Sequence, residues 1–196
     1  QGNDDAGVSS GHVRVYEYNG VAWVQKGGDI DGESTGDYSG YSVSLSDDGT
    51  IVAIGAYLNA ATNIGHVRVY EWNSMTSAWD QIGSDIDGAL SGDYSGVSVS
   101  LSSDGSIVAI GADGNDDAGT NAGHVRVYEY NGSAWVQKGS DIDGEAANDE
   151  SGISVSLSSD GSIVAIGATK NDGTGSNAGH VRVYEYSGIA WVQKGS

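Results

Sequence analysis

The 196-residue chain contains no cysteine, no proline and no phenylalanine, and a single methionine. Without cysteine there can be no disulfide scaffold, no zinc–thiolate centre and no thiol nucleophile. Basic residues are scarce as well: 8 Lys and Arg against 27 Asp and Glu leave a formal charge of −19. The phosphates of a nucleic acid and the head groups of an anionic membrane would be repelled by such a chain. No apolar run reaches the length of a transmembrane helix, and the opening QGNDDAGVSSG has neither the basic nor the apolar region of a signal peptide. The chain does not begin with Met, which reads as a stretch of a longer parent. Its acidity suits a salty or calcium-rich medium, where cations screen self-repulsion, as well as plain solubilisation of a β-protein.

What is present is glycine, 32 residues of it, with Val, Tyr and Trp, a composition that favours strands joined by tight turns. It is also periodic. Trp23, Trp79, Trp135 and Trp191 are spaced 56 residues apart, and the phrase GHVRVYEY or GHVRVYEW begins at Gly11, Gly65, Gly123 and Gly179. A period this regular denotes a modular array in which each unit covers the apolar face of the next.

One unit holds four expected strands: SVSLS from Ser98, SIVAIGA from Ser106, GHVRVYEY from Gly123 and SAWVQKG from Ser133. Asp104-Gly105 and Asn131-Gly132 are two-residue hairpin signals between them, so each unit reads as a four-stranded antiparallel meander. Ser98, Ser100 and Ser102 share one small face of the first strand. In the third strand, His124, Arg126, Tyr128 and Tyr130 share one face, and Val125, Val127 and Glu129 the other. A sheet slim at its first strand and thick at its third is wedge-shaped, as a blade of a β-propeller must be. A β-helix would need shorter rungs, and a sandwich has no need of a fixed period. The expected organisation is therefore an all-β propeller array, with residues 1–28 an outer half-blade and 29–84, 85–140 and 141–196 full blades.

The stretches SGYSVSLSDDGTIVAIGA from Ser39, SGVSVSLSSDGSIVAIGA from Ser95 and SGISVSLSSDGSIVAIGA from Ser151 resemble the FG-GAP repeats of integrin-like β-propellers. The family's Phe-Gly corresponds to Ser39-Gly40, Ser95-Gly96 and Ser151-Gly152, and its Gly-Ala-Pro to Gly55-Ala56, Gly111-Ala112 and Gly167-Ala168, with Phe and Pro absent. The resemblance implies that the first two strands of each unit form the inner pair. Four outer pairs flank only three inner pairs, so two copies joined end to end would set one outer half beside another. That phase points to a longer parent chain, or to a homo-oligomer in which neighbours lend missing strands.

The four histidines His12, His66, His124 and His180 recur one per unit, which sets equivalents on the order of 15 to 20 Å apart, too far to share one ion with ligand bonds of about 2 Å. Arg14, Arg68, Arg126 and Arg182 share their faces with Tyr16, Tyr70, Tyr128 and Tyr184, an arrangement suited to stacking on a neighbouring blade. The acids are the sharper candidates. Asp29 and Asp31, Asp85 and Asp87, and Asp141 and Asp143 form D-I-D-G turns, followed by Asp37, Asp93 and Asp149, with Glu33 and Glu145 in two of the copies. Alternating carboxylates on a glycine-containing loop suit calcium, which takes six to eight oxygens, although the glycine is not placed as in an EF-hand. In calcium-binding members of the resembled family the ion lies between the inner strands, where this chain has only SDDGT or SSDGS. The alternative is an Asp-Gly turn whose carboxylate caps backbone N–H groups. A second acidic set, Asn3-Asp4-Asp5, Asn115-Asp116-Asp117 and Asn171-Asp172, is replaced in one unit by YLNAATNI from Tyr57, as expected of a solvated loop.

No G-x-S-x-G and no H-E-x-x-H occurs, and the departures from the repeat at Asn73-Ser74-Met75-Thr76-Ser77, Asp80, Ile82, Glu150 and Lys170 form no constellation in sequence. The expectation is a non-enzymatic module, extracellular or on a cell surface, for adhesion, display or ligand scaffolding. It would be calcium-assisted, engage a protein or glycan ligand, and neither bind nucleic acid nor insert in a membrane. Three alternatives accompany it: a saccharide-binding propeller stacking sugars on Tyr57 and Trp72, a self-assembling structural repeat, and a non-catalytic part of a polysaccharide-degrading enzyme.

Overall fold

The computed structural model describes residues 7–58 and 63–195. Among these the chain is all-β and antiparallel, with no helix. The first unit contributes β1 (His12–Val13), β2 (Tyr16–Tyr18), β3 (Trp23–Gln25) and β4 (Ile30–Asp31). The second contributes β5 (Ser42–Leu45), β6 (Ile51–Ala56), β7 (His66–Asn73), β8 (Ala78–Gln81) and β9 (Ile86–Asp87). The third repeats this with β10 (Ser98–Leu101), β11 (Ile107–Ala112), β12 (His124–Tyr130), β13 (Trp135–Gln137) and β14 (Ile142–Asp143). The fourth has β15 (Ser151–Leu157), β16 (Ile163–Ala168), β17 (His180–Tyr186) and β18 (Trp191–Gln193).

Strands β5 to β8, β10 to β13 and β15 to β18 pair in chain order; in each sheet the first two strands and the last two are joined by short turns, and the middle two by a longer loop. The Asp-Gly turns are held by their own side chains: Asp104 Oδ1 accepts from the Ser106 N–H and hydroxyl and from the Ser102 hydroxyl at 2.7–2.9 Å. Those donors hold the Asp104 carboxyl below the ordinary carboxylate range. The two-residue strands β4, β9 and β14 are a feature that periodicity did not reveal. Each pairs with the start of the GHVRVYEY strand before it, as in His66↔Asp87 and Val67↔Ile86. The D-I-D-G segment thus belongs by hydrogen bonding to the sheet that precedes it in the chain, across the unit boundary drawn at residue 28.

Successive sheets meet at their first strands, with β10 lying against β5 on one side and β15 on the other. The serine face makes this possible. Ser42 Oγ donates to Gly96 O at 2.7 Å and Ser98 Oγ to Gly152 O at 2.6 Å, while Ser44 Oγ and Ser100 Oγ accept from the N–H of Leu101 and Leu157. Any side chain at Gly55 or Gly111 would collide with the carbonyl of Gly96 or Gly152. At the far edge the tryptophans link neighbours: Trp79, Trp135 and Trp191 donate Nε1–H to the carbonyls of Lys26, Ile82 and Lys138 at 2.8, 2.9 and 2.7 Å.

The core is accordingly divided into layers between sheets rather than gathered at one centre. One cluster joins Ala53, Val67 and Val69 to Val99, Leu101, Val108 and Ile110, a second joins Ile107, Val125 and Val127 to Val164 and Ile166, and a third joins Ile30 to Val52, Ile54 and Tyr70. What a neighbour contributes can be read from equivalent residues: Val67 and Val125 are fully buried, whereas Val181 in the last sheet is 67 % exposed.

Candidate functional site

The three acids of each D-I-D-G region do not converge. Asp29 accepts from Arg14 Nε and Nη2 and from Gln25 Nε2 at 2.6–2.9 Å. These donors, Arg14 first, lower its pKa to about 2. Asp141 is held likewise by Arg126 and Gln137, and Asp85 accepts from Gln81. Asp31, Asp87 and Asp143 stand one strand residue beyond Ile30, Ile86 and Ile142, exposed and paired through their backbone to His12, His66 and His124. Asp37, Asp93 and Asp149 are buried and cap the turn before them, accepting from the N–H of Ser34, Leu90 and Ala146 at 2.9, 2.9 and 3.2 Å. Alternation along a strand and a capping turn between them separate the members that sequence proximity suggested would share one ion. In the second acidic set, Asn115 and Asn171 are buried and hold their loops through the N–H of Asp117 and Gly173; Asn3, Asp4 and Asp5 lie outside the described residues.

The structure instead brings histidine to carboxylate. Among the described residues, two groups are close enough to share an ion: Glu33 with His66 and Asp85, and Asp117 with His124 and Asp141. Desolvation holds the His124 pKa below its ordinary value. The arginines two residues on occupy two stations. Arg14 and Arg126 reach forward to Asp29 and Asp141, whereas Arg68 and Arg182 reach back to the carbonyls of Asp31 and Asp143 at 2.9 and 2.8 Å and to Glu33 and Glu145 at 3.4 and 3.5 Å.

A second constellation lies at one end of the sheets, where the repeat is broken. Tyr57 is ringed by Tyr41, Tyr38 and Tyr94, with ring centroids 4.2, 6.1 and 6.2 Å away. Tyr38, Tyr94 and Glu150 occupy one repeat position and have φ of 55°, 58° and 54°, a left-handed conformation that costs a non-glycine residue and recurs at ligand-contacting turns. The next member at the Tyr57 position is Asp113. Its carboxyl is pushed up to about 6 by burial and by the charge of Glu150, with Lys170 opposing. Lys170 Nζ donates to Glu150 at 2.6 Å. Glu150 and Lys170, which form no constellation in sequence, therefore continue a row of tyrosines. The available signal was a variable position, Tyr57, Asp113 and Thr169, in an otherwise constant repeat.

Trp72 does not belong to this row. Tyr57 follows Ala56, which pairs with His66, whereas Trp72 follows Glu71, which pairs with Ile51 at the opposite end of the β6–β7 ladder. Trp72 packs on Trp79 at 5.4 Å with Lys26 Nζ over its ring, part of the linkage between sheets.

No protein-family model matches the chain, and no curated protein is similar to it in sequence. Solved structures do match its fold. One, from Bacteroides uniformis and described as a "putative 6-phosphogluconolactonase", superposes with a TM-score of 0.64 at 10 % identity, over 95 % of this chain and 47 % of that one. Another of the same description, from Bacteroides fragilis, gives 0.62 at 13 % identity, over 97 % and 49 %. Neither is described as an FG-GAP protein, and this chain spans about half the length of each. The expectation of a non-enzymatic module is corrected by this finding: proteins bearing an enzyme's name are built on a similar fold, so the architecture does not exclude chemistry. The likeness is to propeller-like, all-antiparallel architecture, and at these identities it concerns the fold.

Proposed function

We propose that the chain is a segment of a β-propeller with four-stranded blades, working outside the cell or at its surface, whose tyrosine row binds a saccharide. The observation that carries this reading is the Tyr38–Tyr57–Tyr94 row with Tyr41, continued by Asp113, Glu150 and Lys170. Aromatic faces cover the apolar faces of sugar rings, and carboxylates beside them bond to hydroxyls. Loops at one end of stacked sheets are where recognition is usually placed. A neutral sugar suits the row better than a phosphorylated one, because its single lysine already bonds Glu150 and the whole chain is acidic.

The test is a glycan array followed by calorimetric titration of the best neutral oligosaccharide. Tyr57→Ala should weaken binding at least tenfold, and Trp72→Ala should leave it unchanged. Silence of the folded protein across neutral glycans would sink the proposal. The bound glycan should also be followed for cleavage: shortened products that vanish in Asp113→Asn would make this row a hydrolytic site, with the high-pKa carboxyl as proton donor.

A further inference from the structure

In three of the four repeats the imidazole of the phrase faces a carboxylate delivered by another segment, and at two successive positions there are two of them. Asp117, His124 and Asp141 present one ligand atom apiece, all within 4.8 Å of one another, as do Glu33, His66 and Asp85. His124 is 2 % exposed, and its Nδ1 is buried without a hydrogen-bond partner. That nitrogen faces Asp141 Oδ2 across 3.7 Å, too far for a hydrogen bond. A separation near this is what two ligands of one ion require, since donors about 2.1 Å from zinc stand about 3.4 Å apart at the tetrahedral angle.

We propose that Asp117, His124 and Asp141 form a site for a first-row divalent cation of the zinc type, and that Glu33, His66 and Asp85 form its counterpart one repeat earlier. One imidazole and two carboxylates favour such an ion over calcium, which takes oxygen ligands alone. The surrounding groups already orient the carboxylates: Gln137 Nε2 donates to Asp141 Oδ1 at 2.6 Å, and Asn115 Nδ2 to Asp117 Oδ2 at 3.3 Å. Arg126 stands against this, because its Nε and Nη2 donate to Asp141 Oδ2. The repeat supplies the answer. Arg68 and Arg182 occupy the other station, on the carbonyls of Asp31 and Asp143, and the equivalent carbonyl for Arg126 belongs to Asp87. Cation entry would displace Arg126 from Asp141 to that station, where Ala89 replaces the glutamate and the Asp87 carbonyl alone would receive it. At the earlier site Arg68 is already there, clear of Asp85 but with Nη1 3.4 Å from Glu33 Oε1, a contact that the ion would replace, and Gln81 is the donor that orients Asp85.

The test is calorimetric titration of the chelator-stripped chain with zinc chloride, with cobalt(II) absorption reporting ligand geometry and calcium chloride in parallel. Two ions per chain at micromolar affinity or better are expected, with calcium at least a hundredfold weaker. His124→Gln should lower the stoichiometry to one. Glu33→Gln and Asp117→Asn alter exposed side chains, so both should fold, and each should weaken one site at least tenfold. Absence of heat and of cobalt bands at millimolar metal, calcium binding as tight as zinc, or zinc binding indifferent to Glu33→Gln and Asp117→Asn would each overturn the proposal. The saccharide row shares none of these residues and stands or falls separately.

Discussion

One arginine position, filled in all four repeats, makes two different contacts, and a single neighbouring residue explains which. Where Glu33 or Glu145 stands behind it, the side chain of Arg68 or Arg182 reaches back; where the equivalent residue is Ala89, Arg126 reaches forward to Asp141. Spacing along the chain shows the acids but not this choice, which depends on groups from two segments. Asp113 illustrates the same limit, since its environment is made by Tyr57 and Glu150, each some forty to sixty residues away. With a folded pKa of about 6 against an ordinary 3.8, the folded chain holds more protons than the unfolded one between those values. Stability therefore falls as pH rises from about 4 through 6. Asp113→Asn should remove that fall and raise stability at pH 7 by at most about 2 kcal/mol, the side chain being only half-buried. Urea denaturation at pH 4.5 and pH 7 measures it; equal pH dependence in both proteins would refute the assignment.

At the level of strands, most of the fold was legible. The two-residue alternation, the Asp-Gly turns and the serine face are local signals, and they gave the order of strands within each sheet and the slim first strand. Strands β4, β9 and β14 were not legible, because two residues carry no period and their partners belong to the preceding sheet. The approach of β11 to the neighbouring sheet depends on a missing side chain. Gly111→Ala would drive a methyl group into the carbonyl of Gly152, with no flexible side chain to yield, and should cost about 3 kcal/mol or more. Gly132→Ala, in a hairpin turn where nothing lies nearby, should cost about 1 kcal/mol through its positive φ alone. Comparing the two denaturation midpoints separates packing from backbone strain, and equal losses would contradict the close approach.

At the scale of the molecule, stability resides in interfaces between adjacent sheets, three of them among the described residues, each with its own apolar cluster. Such an array behaves as a sum of units and nearest-neighbour contacts. Excising residues 85–140 joins Ser84 to Asp141 in phase, so the shortened chain should still fold, with a circular dichroism spectrum of the same shape and a smaller denaturant m-value. Loss of cooperative unfolding would show that the sheets depend on more distant neighbours. The two edges of each sheet are spaced by different means. Along one, glycine backbones of adjacent sheets press together; along the other, an indole ring lies between Lys26, Ile82 or Lys138 and the next sheet. Like the cut stones of an arch, adjacent sheets are held close along one edge and propped apart along the other. A smaller side chain at Trp79, Trp135 and Trp191 would remove that spacer and let the far edges of neighbouring sheets close up, so the angle between one sheet and the next depends on the size of one side chain per unit.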